Sequence, residues 1–160
     1  MAAKPIPEGY HSVTPSLAID GAADAIEFYK RAFGAQERYR MPTPDGKVAH
    51  AELQIGDSVV MLSDSFDWSG VKAPTELGGT TVGIFVYVED VDAVFQQAVD
   101  AGATVAMPVE TQFWGDRFGS LTDPYGHHWS LATHVEDVSP EEIERRSREA
   151  FAQQPEPATG

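Results

Sequence analysis

The chain contains no cysteine. Disulfides, thiolate nucleophiles and Cys-containing zinc sites are excluded together. No apolar run comes near the roughly 20 residues needed to cross a bilayer as a helix. The opening stretch, "MAAKPIPEGYHS", lacks the apolar core of a secretory signal. A cytoplasmic location is the expectation. Basic residues are scarce, with 11 Lys and Arg against 25 Asp and Glu and a net charge of −14. Such a surface repels phosphate backbones and anionic lipid, so neither nucleic acid nor membrane is an expected partner. It favours a cationic or neutral small molecule, although the same charge also serves solubility. There is no GxSxG elbow, no P-loop and no Rossmann glycine pattern.

What is present is patterned. In "GAADAIEFYKRAFGA", Ala22, Ala25, Ile26, Tyr29 and Phe33 fall on one helix face, and Gly34 follows where a C-terminal cap belongs. In "EDVDAVFQQAVDAGA", Val91, Val94, Phe95 and Ala98 repeat that spacing between a candidate N-cap, Asp90, and a candidate C-cap, Gly102. A strand pattern precedes each helix, "HSVTPSLAI" and "TTVGIFVYV". Three follow each: "QERYRMP", "KVAHAELQI" and "DSVVMLSDS", then "TVAMPVETQ", "RFGSLTD" and "HHWSLATH". Turn chemistry separates them at "TPDG", Gly56, "FWGD" and "DPYG". Pro15 and Pro108 lack an N–H and predict edge or bulged strands.

The order is a βαβββ unit that occurs twice, an α+β architecture. The expected organisation is an N-terminal extension over 1–8, a first module over 9–66 and a linker loop over 67–79. A second module follows over 80–138, then a C-terminal helix over 139–152 and a disordered tail over 153–160. The helix signal is Ser139 as N-cap, Pro140 at the first position and Glu142 as its capping-box partner. Its few apolar residues place it on the surface or against a partner subunit.

The stretch "DPYGHHWSL" decides how the last strand faces. Neighbouring strand residues point to opposite sides. His127 therefore goes with Trp129 and Leu131 toward the helices, and His128 goes with Ser130 to the other face.

The duplicated unit, "AIEFYKRAFGA" after the first strand and "TDPYGHHW" before the last, resembles the vicinal oxygen chelate superfamily of glyoxalases, bleomycin-resistance proteins and dioxygenases. "HAELQIGDSVVMLSD" and "FWGDRFGSLTDPYGHHWSLATH" are most similar to its PhnB-like branch. The resemblance covers about Gly9 to Val138. It implies two modules whose curled mixed sheets make the halves of a cup. In metal-dependent members, four inward His, Glu or Gln residues hold a divalent ion. The matching positions here are Thr14, Met61, Gly83 and Ser130, so no metal or other cofactor is expected. A fallback ligand set is His50, Glu52 and His128.

The cup that the resemblance implies makes Thr14, Met61, Phe85, Tyr87, His128 and Ser130 candidate ligand-binding residues on the strands. The turn "FWGDRFG" adds Trp114 and Arg117, since it sets aromatic faces beside charge that suit stacking on a planar or cationic ligand. Phe85 and Tyr87 equally suit a closed core. That turn and "SDSFDWSG" equally suit a subunit interface. The function expected is binding of a small organic ligand in a metal-free cup, sequestering a drug or metabolite as a homodimer. The second reading is a metal-dependent lyase, isomerase or dioxygenase of the same fold using the fallback ligands. A third is an interaction module whose cup is filled by its own side chains. No catalytic residue is assigned.

Overall fold

A computed structural model describes residues 3–153; the expected disordered tail lies outside these apart from Gln153. The first unit consists of β1 (Ser16–Ile19), α1 (Ala22–Phe33), β2 (Gln36–Pro42), β3 (Val48–Ile55) and β4 (Ser58–Asp64). A short helix, α2 (Pro74–Leu77), interrupts the stretch expected to be all loop. The second unit consists of β5 (Gly83–Tyr87), α3 (Val91–Ala101), β6 (Thr104–Thr111), β7 (Asp116–Thr122) and β8 (His128–His134). The helix α4 (Pro140–Ala152) closes the described chain. Each unit makes one four-stranded sheet, ordered β1-β4-β3-β2 and β5-β8-β7-β6. In both, the first strand runs parallel to the fourth and the other pairs are antiparallel.

The prolines act as their missing N–H requires. β1 begins after Pro15, five residues later than the alternation alone predicts, and lies at a sheet edge. β6 is an edge strand of the other module, and its register slips between Met107 and Glu110, around Pro108.

Helix ends are secured by side chains brought from elsewhere. Asp64, the last residue of β4, accepts hydrogen bonds from the backbone N–H of Gly21 and Ala22 at the start of α1, and from Val48 at the start of β3. A carboxylate there meets both the free N–H groups and the helix dipole. Asp90 caps α3 by accepting from Ala93, and Thr133 receives Val91 N–H. Gly34 and Gly102 end α1 and α3 with positive φ, as their positions predict.

The modules meet through their helices. Gln97 of α3 donates to the carbonyls of Arg31 and Ala32 at the end of α1. Below that contact, Tyr29 and Phe33 pack on Trp129 of β8 with ring centroids 5.2 and 4.5 Å apart. Buried Asp123 organises this seam, accepting from Tyr29 Oη at 2.6 Å and Trp129 Nε1 at 2.9 Å. It also accepts from Tyr125 N and His127 N, closing its own turn. Burial, with the adjacent Asp123, pushes the Tyr29 phenol well above its usual range, so it stays a donor. His127 is buried, and its Nε2 lies 2.9 Å from the Ala18 carbonyl on β1. Gly119 lets α3 approach β7: a Cβ there would sit 2.8 Å from Phe95 and 2.9 Å from Val109.

The helix α4 buries none of its residues fully and is held by charge. Glu142 accepts from Arg145 and Arg146, which hold its carboxyl down at about 2. A depressed carboxylate contributes stability that is complete above its ordinary value of 4.5 and is lost as pH falls through the folded one. Amide protection factors in α4, taken relative to intrinsic exchange at each pH, are therefore expected to fall between pH 4.5 and about 2. Unchanged α4 protection factors across that window would contradict the assignment. Among the described residues, no helix is long and apolar enough to cross a membrane.

Candidate functional site

The helices cover one face of each sheet and leave the other open. In the first module the open face carries Ser16 beside Met61 beside Glu52, set by the cross-strand register. In the second it carries Gly83 beside His128 and Phe85 beside Ser130, with Phe118, Ser120 and Thr122 on β7. Phe85 and Tyr87 are 49% and 63% exposed. In this chain they wall a surface and do not fill a core. The N-terminus of β1 and the free edge of β5 flank a cleft of 540 Å³ that Thr14, Phe85 and Tyr87 share.

The second module's open face carries a continuous aromatic strip. Tyr87 lies 5.0 Å from Phe85, Phe85 stacks at 5.7 Å on Phe118, and Phe118 meets Trp114 at 5.9 Å. Trp114 meets Phe113 at 5.0 Å, and Phe113 meets Phe151 of α4 at 6.1 Å. Beneath the middle of this strip is Asp116, only 4% exposed. Its Oδ2 accepts from Tyr87 Oη at 3.0 Å and Trp114 Nε1 at 3.1 Å. Its Oδ1 lies 2.8 Å from Nδ1 of His134, directly opposite on β8. His134 also reaches Asp137, and the hydrogen bonds to the two carboxylates raise its pKa above the ordinary value. The hydrogen bond to Asp116 likewise raises the Tyr87 phenol.

The first module's open face differs. Residues of its N-terminal stretch, with Thr14, Glu52 and Met61, line a second cavity of 560 Å³. Tyr10 donates its hydroxyl to Glu52, and Arg38 lies 4.9 Å over the Tyr10 ring. Tyr10, then His50 at 3.2 Å, hold the Glu52 carboxyl below its ordinary value.

Several expected site residues thus lie on these open faces: Thr14 and Met61 in the first module, Phe85, Tyr87, His128 and Ser130 in the second. Trp114 borders the latter. Arg117 does not join them. β7 alternation turns it to the helix side, where it forms a two-pronged ion pair with Asp92 of α3 at 2.6 and 2.7 Å. Trp68 is also separate from the strip, stacked on Phe66 at 5.2 Å. Three contributors were not in the expected set: Asp116, His134 and Phe118. Phe118 shares the parity of Ser120, but only the register with β8 shows that this parity faces outward with Ser130.

The positions that the resemblance assigns to metal ligands carry two hydroxyls (Thr14, Ser130), a thioether (Met61) and no side-chain donor at Gly83. The His128 ring lies against Gly83, 3.3 Å from where a Cβ would be. A thioether with neutral hydroxyls does not suit a hard divalent ion, so the donor set does not fit one. The fallback residues are divided. His50 and Glu52 share β3, while His128 is on β8 of the other module. No group of three or more His, Asp or Glu residues positioned to hold a metal occurs among the described residues.

Two repeated βαβββ modules, each with one face under helices and one open, define a protein of the tandem-module cup class. The chain belongs to the Glyoxalase/Bleomycin resistance protein/Dioxygenase superfamily, whose sequence model matches residues 10–131. It is 51% identical over 136 residues to the uncharacterized protein Rv0887c of Mycobacterium tuberculosis, covering 83% of this chain and 80% of that one. Among solved structures it is similar to TioX from Micromonospora sp. ML1, with TM-score 0.63 and 28% identity over 78% of this chain and 99% of that one. It is also similar to TnmS3, an antibiotic binding protein from Streptomyces sp. CB03234. There the TM-score is 0.60 and the identity 21%, over 84% of this chain and 99% of the other.

Proposed function

We propose that this chain binds a small planar organic ligand on the aromatic face of its second module and acts by sequestering a drug or metabolite. The observation that carries this is the aromatic strip that runs from exposed Tyr87 and Phe85 to half-buried Phe118 and Trp114, lying over a buried carboxylate. Apolar rings supply affinity by stacking, and a few fixed polar groups orient the ligand, the usual composition of a small-molecule site. TnmS3 is an antibiotic binding protein of this fold. At its level of identity the likeness is one of fold alone.

A homodimer is part of the proposal. Among the described residues, β1 pairs only with β4, and β5 only with β8. β1 and β5 therefore each keep a free edge, and both sheets keep exposed apolar residues such as Tyr39, Met41, Phe85 and Met107. Free edges and open apolar faces favour association with a second copy. That copy would supply the missing wall of each cup. A cytoplasmic location fits such a role.

Equilibrium titration with the planar cation 9-aminoacridine, with sedimentation to fix the mass, tests the proposal. One saturable site per chain on a dimeric species is expected. Absence of saturable binding by planar ligands would remove the function proposed. Stoichiometric bound metal, lost on His50→Ala, would replace it with the metal-dependent alternative.

A further inference from the structure

The aromatic strip has an unusual polar arrangement. Two of its rings carry donors, the Tyr87 hydroxyl and the Trp114 indole N–H, and both are directed to one oxygen of Asp116. The other oxygen meets His134. These donors come from three places in the chain: β5, the turn before β7, and β8. When His134 presents its Nδ1–H, a group that meets all three accepts at both oxygens, as a carboxylate does. An amide could serve one side only. What then faces a ligand from Tyr87 and Trp114 is their π surfaces and the remaining lone pair of the Tyr87 oxygen. The negative charge beneath strengthens the attraction of those surfaces for a cation. His134 does not cancel it: when protonated, it is shared between Asp116 and Asp137, and the three groups together still carry one negative charge.

We infer that Asp116 is the specificity-determining residue of this face: it positions Tyr87 and Trp114, occupies their donors, and so selects cationic over anionic aromatic ligands. This rests on the proposal that the strip is the ligand surface. Asp116 acts through the two rings and is a positioning residue.

The test compares 9-aminoacridine, a cation, with acridine-9-carboxylate, an anion built on the same ring system. The chain's net charge of −14 also favours cations, so the comparison is made in about 0.5 M NaCl, where the screening length is only about 4 Å. There the wild type is expected to prefer the cation by about tenfold, the scale of a partly desolvated cation–π contact. Asp116→Asn is expected to lose most of that preference. Should that variant fail to fold, Tyr87→Phe serves instead. Tyr87 is exposed, and losing its hydroxyl frees an acceptor site on Asp116 toward the ligand, so the cation preference should rise. Equal binding of both acridines by the wild type at high salt would overturn the role of Asp116 and leave the binding function standing. A preference unchanged in Asp116→Asn, or unchanged or lowered in Tyr87→Phe, would overturn it likewise. Failure of both acridines to bind the wild type would overturn the inference together with the proposed function.

Discussion

Replacing Asp123 with alanine is expected to lower the unfolding free energy by about 3–5 kcal/mol, the scale of leaving several buried donors without their acceptor. Its carboxylate satisfies four donors at once: Tyr29 Oη, Trp129 Nε1 and the backbone N–H of Tyr125 and His127. Two of these come from side chains packed in the seam between modules, where water cannot replace the carboxylate without opening the aromatic cluster. A typical domain has only about 5–15 kcal/mol in total, so this is a large fraction. Asp123→Asn keeps one acceptor oxygen and should lose less. Because Tyr29 belongs to the first module and Trp129 to the second, both modules should weaken in one transition. Denaturant unfolding with far-UV circular dichroism measures this. A loss under about 1 kcal/mol, the net worth of one ordinary hydrogen bond, would contradict the role given to Asp123.

The second large effect concerns binding. The double variant Phe85→Ala with Phe118→Ala is expected to weaken binding of 9-aminoacridine by about 30- to 150-fold, taking about 1–1.5 kcal/mol for each stacked ring. Phe85 is half exposed, so stability should change far less than affinity. Two other changes serve as controls. Arg117→Ala removes a side chain bound to Asp92 on the helix side. Trp68→Ala removes a ring stacked on Phe66 away from the strip. Both should leave affinity within about twofold, the range of a surface substitution without a special contact. A loss in either control as large as in the double variant would place the ligand elsewhere.

Much of the fold was legible in the sequence because its signals are local. Apolar spacing placed α1 and α3, glycines marked their ends, and proline and turn residues divided the strands. The facing of His127 and His128 followed from strand alternation alone. The short helix α2 escaped because four residues carry too little periodicity to register. The site was legible only strand by strand. Alternation shows which residues of one strand share a face, but not which residues of the next strand lie beside them. Hence Phe85 and Ser130 were accessible to sequence reasoning, while Phe118 and the Asp116–His134 pair depended on register. Arg117 was misplaced for the same reason: its neighbours in the turn, Phe113 and Trp114, belong to the strip, but the first step into β7 turns it to the opposite side. Charge next to an aromatic in sequence is not charge next to an aromatic in space.

Backbone amide chemical-shift mapping of the protein titrated with 9-aminoacridine measures where a planar ligand binds. Shifts are expected to concentrate at residues 83–87, 113–120 and 128–134, the strands and turn that carry the aromatic strip and Asp116. Shifts confined to Phe66 and Trp68, or to α4, with the strip unperturbed, would contradict it.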